Sequence, residues 1–183
     1  MTKFITRSWL GVLSFLFSIV VLGASPTTNT VLNEEALLDA IRDVETGGND
    51  HARGSHGERS AYQMKRDTWR LACRAGDLSH SFSLASNPVA AREVARAHLK
   101  RVMMVLAEQR KTVSVKSIAL AWTCGEYATN PSAKKRDYAQ RVENLYRDNL
   151  RQEEAVRKTC EVKIREGMAL VVGFEPHIVV SVY

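Results

Sequence analysis

The sequence predicts a mainly α domain followed by a short β-rich segment, and three observations carry that expectation. Apolar residues recur at three- and four-residue spacing between positions 33 and 158. Residues suited to helix starts, Asn33, Asn87 and Ser114, stand ahead of these stripes. The pattern then changes at 168–183, MALVVGFEPHIVVSVY, to two β-rich runs about a Gly-Phe-Glu-Pro turn, which predicts a terminal hairpin in need of a packing partner.

The first helix reads from Asn33, a good N-cap, through Glu34 and Glu35, whose charges suit a first turn, to Gly47 and Gly48, which stop it. Leu37, Leu38, Ile41 and Val44 form its apolar stripe. Pro88 suits the first turn of a long amphipathic helix after Asn87, with Val94, Leu99, Val102, Met103 and Leu106 on its stripe and an end near Arg110. Ser114 caps the next helix. A last one carries Tyr138, Val142, Leu145 and Tyr146, with a charged tail to about Lys158.

Lys3 and Arg7 precede an apolar run at 10–22, about 13 residues, shorter than the ~20 that span a bilayer. This predicts an export signal over 1–24, a main domain over 25–158 and a β-rich extension over 159–183. The expected location is therefore the periplasm or the extracellular space. Membrane association is expected only if the signal is left uncut. No cysteine follows the run, so a lipid-modified N-terminus is not indicated.

The chain has 183 residues, of which 45% are apolar, sufficient for one core and one monomeric domain. Net charge is +6, falling to about +4 once Lys3 and Arg7 leave with the signal. A basic surface favours anionic polymers. Nucleic acid is not an expected partner, because the positive residues are scattered along helices and export separates the two. Cys73, Cys124 and Cys160, in an oxidising compartment, predict one disulfide and one leftover thiol, with the pairing open and three buried thiols the alternative.

The chemistry centres on Glu45. It lies four residues after Ile41 and seven after Leu38, at the edge of the buried face and at a helix C-terminus. Burial and the negative end of the helix dipole both raise a carboxyl's pKa, which suits a general acid. Solvated fraying beside the glycines is the bland alternative. His51 and His56 match no zinc signature, and neither a G-x-S-x-G elbow nor a phosphate-cradling glycine loop occurs, so no metal or cofactor is expected. GSHGERS, at 54–60, reads as a loop.

Four elements follow in one order: Glu45 in ETGGN, then SAYQM at 60–64 with Thr68 and Trp69, then ALAWTCG at 119–125, then DYAQRVENLY at 137–146. This order resembles the lytic transglycosylases and goose-type lysozymes, with their E-S, G-L-M-Q, A-Y-N-A-G and final tyrosine motifs. ETGGN also looks like the E-S-G-G-N of resuscitation-promoting factors, which share a lysozyme-like fold. Thr46 stands for the family's serine, and Ser60, Ala61 and Tyr62 replace Gly, Leu and Met before a retained Gln63. Trp122, Thr123 and Cys124 replace Tyr, Asn and Ala between retained Ala121 and Gly125. The resemblance spans about 33–149.

It implies a lysozyme-like helical domain that cleaves the β-1,4 bond between N-acetylmuramic acid and N-acetylglucosamine in peptidoglycan glycan strands. Glu45 would serve as acid and then base, with Tyr138 near it and Gln63 bonding a sugar acetamide or hydroxyl. Trp69 and Trp122 are candidate sugar platforms or, equally, core residues, whereas Tyr62, beside Gln63 in the matching motif, is the better candidate for a sugar contact. Asp50, Glu58 and Glu126 are candidate second carboxylates, any of which would make the enzyme a lysozyme-type hydrolase. A noncatalytic glycan-binding module is the rival from another class.

Overall fold

A computed structural model describes residues 32–165, with side-chain surroundings as far as Glu161. The expected export signal and the terminal hairpin at 168–183 lie outside the described residues. The described chain forms five α-helices: α1 (Glu34–Thr46), α2 (Arg66–Ala75), α3 (Pro88–Glu108), α4 (Val115–Cys124) and α5 (Ala133–Arg165). A 3-10 turn, Phe82–Ser86, precedes α3.

The predicted caps are present. Asn33 accepts from the Ala36 amide at 3.0 Å, Asn87 caps α3 with Pro88 in its first turn, and Ser114 forms a reciprocal capping box with Ser117. Gly47 adopts φ 62°, the left-handed conformation that lets its amide and that of Gly48 return to the Asp43 and Arg42 carbonyls.

α3 crosses the middle of the molecule and packs against α1, α2 and α4, so its stripe of Val94, Leu99 and Val102 is fully buried. Around it gather Leu37, Leu38 and Ile41 of α1, Trp69 of α2, Ile118 of α4 and Val142 of α5. α5 lies along α1 and α4. Its Tyr146 hydroxyl accepts from the Asn33 amide at 3.1 Å, and Asn149 donates to the Ala36 carbonyl at 3.2 Å, fixing the helix that carries Tyr138 to the helix that carries Glu45. On the outer side Arg92 and Arg96 of α3 clamp Glu35 of α1, and Arg92 also reaches Asp39 at 2.6 Å.

Two findings differ from the sequence reading. α5 continues through Arg165, so the expected boundary at 158/159 falls inside a helix. Pairs such as Lys158–Glu154 and Arg157–Glu161, spaced four apart, support that extra turn, and no glycine or proline interrupts it before Gly167. The three cysteines are free: Cys73 is buried against the His80 carbonyl, Cys124 ends α4 and Cys160 lies far along α5.

Candidate active site

Between α1 and α2 the chain makes a compact excursion whose backbone pairs Arg53 with Arg59 and Arg59 with Met64. Thr46, the last residue of α1, ties that excursion down by donating to the Ala61 carbonyl at 3.1 Å. Ser60 and Gln63 take left-handed backbone conformations, φ 70° and 46°, which turn the chain sharply at SAYQM. The excursion and the ends of α1, α4 and α5 enclose a groove of about 600 Å³.

Glu45 lines this groove, half buried at the end of α1. Removal from water is the main reason its carboxyl sits above the ordinary value; the nearby Glu58 charge adds to the rise. The Tyr138 hydroxyl opposes it by donating to Glu45 Oε1 at 2.7 Å, and Lys135 and Arg141 oppose it through their charge. Tyr138 is itself buried, and burial followed by the Glu45 charge pushes its phenol far up, so it remains a donor.

Of the five residues singled out from the sequence, Glu45, Gln63 and Trp122 line the groove and Tyr138 reaches it through Glu45. Tyr62 does not line it. Its ring lies in the core against Trp122, 6.5 Å between centroids, and its hydroxyl accepts from Arg92. Trp69 is likewise fully buried, with Nε1 donating to the His80 carbonyl at 2.8 Å. Gln63 donates to the Ser60 carbonyl at 2.9 Å, which holds its amide in place.

The three candidate second carboxylates separate clearly. Asp50 pairs with Arg42 at 3.2 Å and Glu126 pairs with Arg101, and neither carboxylate lines the groove. Glu58 alone of the three lines the groove with Glu45. Its own backbone amide, then that of His56 at 2.9 Å and the Lys65 ammonium, hold its carboxyl below the ordinary range. The groove thus contains two carboxyls pushed in opposite directions by their surroundings, the arrangement that separates an acid from a base. Gly54 makes room for the second: a Cβ there would lie 2.3 Å from Glu58 Oε2 and 2.8 Å from Gln63 Oε1.

Two further groove residues escaped the sequence reading. His98 of α3 is buried, packs against Trp122 with the rings tilted and 4.7 Å between centroids, and has an Nδ1 without a hydrogen-bond partner among the described residues; burial drives its pKa down to about 4, so the ring is neutral. Its signal was a polar residue four positions from Val94 and Val102 on an apolar stripe. Lys135 bonds the Thr123 carbonyl at 2.9 Å and also its hydroxyl, bridging α5 to α4 at the groove wall. No sequence signal marks it. Among the described residues no cluster of side chains fits a metal ion.

Searches of protein-family models and of curated proteins find no match to this sequence. Among solved structures, the chain is similar to an inactive glutamate-to-glutamine mutant of the lytic transglycosylase Slt from Pseudomonas aeruginosa, with a TM-score of 0.56 and 16% identity over 66% of this chain. The fold is lysozyme-like. The matched region spans 22% of the Slt chain, about a fifth of that protein's length.

Proposed function

We propose that this chain is a peptidoglycan lytic transglycosylase with Glu45 as its acid and base. The observation that carries the reading is the half-buried Glu45 carboxyl, raised above its ordinary pKa and hydrogen-bonded by Tyr138, on the wall of a groove of about 600 Å³ in a lysozyme-like fold. The Slt likeness supports the same reaction class, and that neighbour is inactivated by a change of glutamate to glutamine.

In the proposed reaction the protonated Glu45 gives its proton to the glycosidic oxygen between N-acetylmuramic acid and N-acetylglucosamine. The bond breaks through an oxocarbenium-like state that the muramic N-acetyl group stabilises. Glu45, now a carboxylate, takes the proton of the muramic C6 hydroxyl as that oxygen closes a 1,6-anhydro ring, and the residue returns to its starting form without consuming water. Tyr138 holds the carboxyl in one orientation and favours its anionic phase. Gln63 and the Trp122 ring offer an amide and an aromatic face to the sugars. Such a substrate requires an exported protein, which agrees with the signal expected at 1–24; among the described residues no helix is long and apolar enough to cross a membrane.

Glu58 favours a second reading. A persistently ionised carboxylate in the groove can position and activate a water, which would make the reaction a hydrolysis. Mass spectrometry of fragments from purified peptidoglycan decides between the two. The transglycosylase predicts anhydromuropeptides. Reducing-end products from the wild type, lost in Glu58→Gln, would establish the hydrolase, and intact glycan would leave a binding module.

A further inference from the structure

The protein leaves one buried polar side chain without a partner of its own. His98 sits on the apolar stripe of α3, four positions from Val94 and from Val102 and next to Leu99, all of them fully buried. Among the described residues only Ser60 and His98 are polar and buried. The Ser60 hydroxyl accepts from the Tyr62 amide at 3.2 Å, whereas neither imidazole nitrogen of His98 is hydrogen-bonded to another described residue. Glu126 and Arg101, whose charges act on the ring, pair with each other instead. An unpaired buried polar group is costly, so the few that proteins retain call for an explanation.

The ring has one way out of the core. Nδ1 is sealed from solvent, but His98 also lines the groove that holds Glu45, so the nitrogen left to face the groove is Nε2. A neutral imidazole carries one N–H and one lone pair. With the proton on Nδ1, an N–H would be shut into the apolar stripe, which proteins rarely allow; with the proton on Nε2, only a lone pair goes unused and the donor meets the groove. Trp122 packs against the imidazole, 4.7 Å between centroids, and lines the same groove. The donor is thus held in place by packing, beside an aromatic wall.

We infer that His98 is a substrate-binding residue whose Nε2–H donates to an oxygen of the sugar seated against Trp122. The inference rests on the proposed function, which supplies the sugar, and gives α3 a part in holding it. The acceptor is the carbonyl of an acetamido group, whose methyl suits the Trp122 face, or a hydroxyl, which offers the same kind of lone pair. A bond to a part of the sugar that does not react is present before and during cleavage, so it acts more on KM than on kcat.

Calorimetric titration of the full chain with chitotetraose, a soluble oligomer of N-acetylglucosamine, tests this apart from peptidoglycan cleavage. His98→Phe keeps a flat ring without the donor and should weaken binding roughly tenfold, while His98→Gln, whose amide still donates, should lose less. The Phe variant also removes an unpaired polar group from an apolar stripe, so it should unfold no more easily than the wild type, which separates a lost contact from a damaged fold. A loss confined to chitotetraose assigns the acceptor to the acetamide, and an equal loss with cellotetraose assigns it to a hydroxyl; either upholds the contact. In the wild type the nitrogen-15 resonances of His98 should show the proton on Nε2 and shift when chitotetraose binds. A proton on Nδ1, absence of chitotetraose binding, or equal affinity in the wild type and folded His98→Phe would overturn the inference. Chitotetraose binding that depends on His98, without cleavage of peptidoglycan, would uphold the contact and remove the catalytic reading; cleavage with the same KM in the wild type and His98→Phe would keep that reading and remove the contact.

Discussion

Glu45 and its four charged or polar neighbours, Tyr138, Lys135, Glu58 and Arg141, make the pH behaviour of the site predictable. The acid must be protonated to act, so kcat/KM falls as pH rises through its pKa. The Tyr138 bond favours the ionised form, so Tyr138→Phe should move that falling limb to higher pH while lowering the rate through lost orientation. The Glu58 charge disfavours the ionised form, so Glu58→Gln should move the limb to lower pH. Opposite displacements in the two pH–rate profiles are the expected result; shifts of the same sign would mean that one of the two residues does not act on Glu45 in this way. That Tyr138 lies beside Glu45 was legible because their motifs fall in a recognisable order. The place of Tyr62 was not, because which of two aromatics faces the groove depends on how the α1–α2 excursion meets α4, and Trp122 occupies the wall while Tyr62 lies in the core against it. Glu58 stood among three indistinguishable loop acids until Arg42 and Arg101 were seen to engage the other two.

The excursion between α1 and α2 is the element on which the site depends. Thr46 anchors its far end, the Arg59–Met64 pairing sets its shape, and Gly54 leaves the space that Glu58 and Gln63 fill. Gly54→Ala puts a methyl group within 2.9 Å of the Glu58 Cβ as well as its carboxylate, so the neighbour cannot escape by rotating its tip alone. Thermal denaturation should show a loss of roughly 1–3 kcal/mol, with a larger fractional loss of turnover than of stability. Unchanged turnover in a destabilised protein would separate the loop from the chemistry. The helices were more legible than this excursion because their caps are local: Asn33, Gly47, Asn87 and Ser114 each satisfy backbone groups within a few residues. The end of α5 was missed for a related reason, since ion pairs along its surface continue the helix where the apolar stripe has already faded.

For the molecule as a whole, α3 passes through the core and carries one ionisable ring there. His98 has a pKa of about 4 against an ordinary 6.5, with Glu126 tending to raise it and Arg101 to lower it. Below about 6.5 the unfolded chain takes up a proton that the folded chain refuses, so stability falls as pH drops from 6.5 toward 4, by up to roughly 3 kcal/mol. Glu45 acts in the opposite sense: its raised pKa contributes stability that is full below the ordinary carboxyl range and is lost as pH rises through the folded value. Denaturant unfolding across pH 4–7 should therefore show an acid loss that His98→Gln flattens. A profile unchanged by that substitution would mean that the ring is not held neutral. The same placement puts His98 against Trp122, so the core and the groove wall share a residue.

The most direct test of the central claim is the rate at which soluble fragments are released from purified peptidoglycan by the wild-type chain and by Glu45→Gln, with folding of both checked by circular dichroism. A general acid contributes about 10²–10⁴-fold. The account predicts release by the wild type and a loss of at least that lower factor in a variant that remains folded. Release at the same rate by folded Glu45→Gln would contradict it.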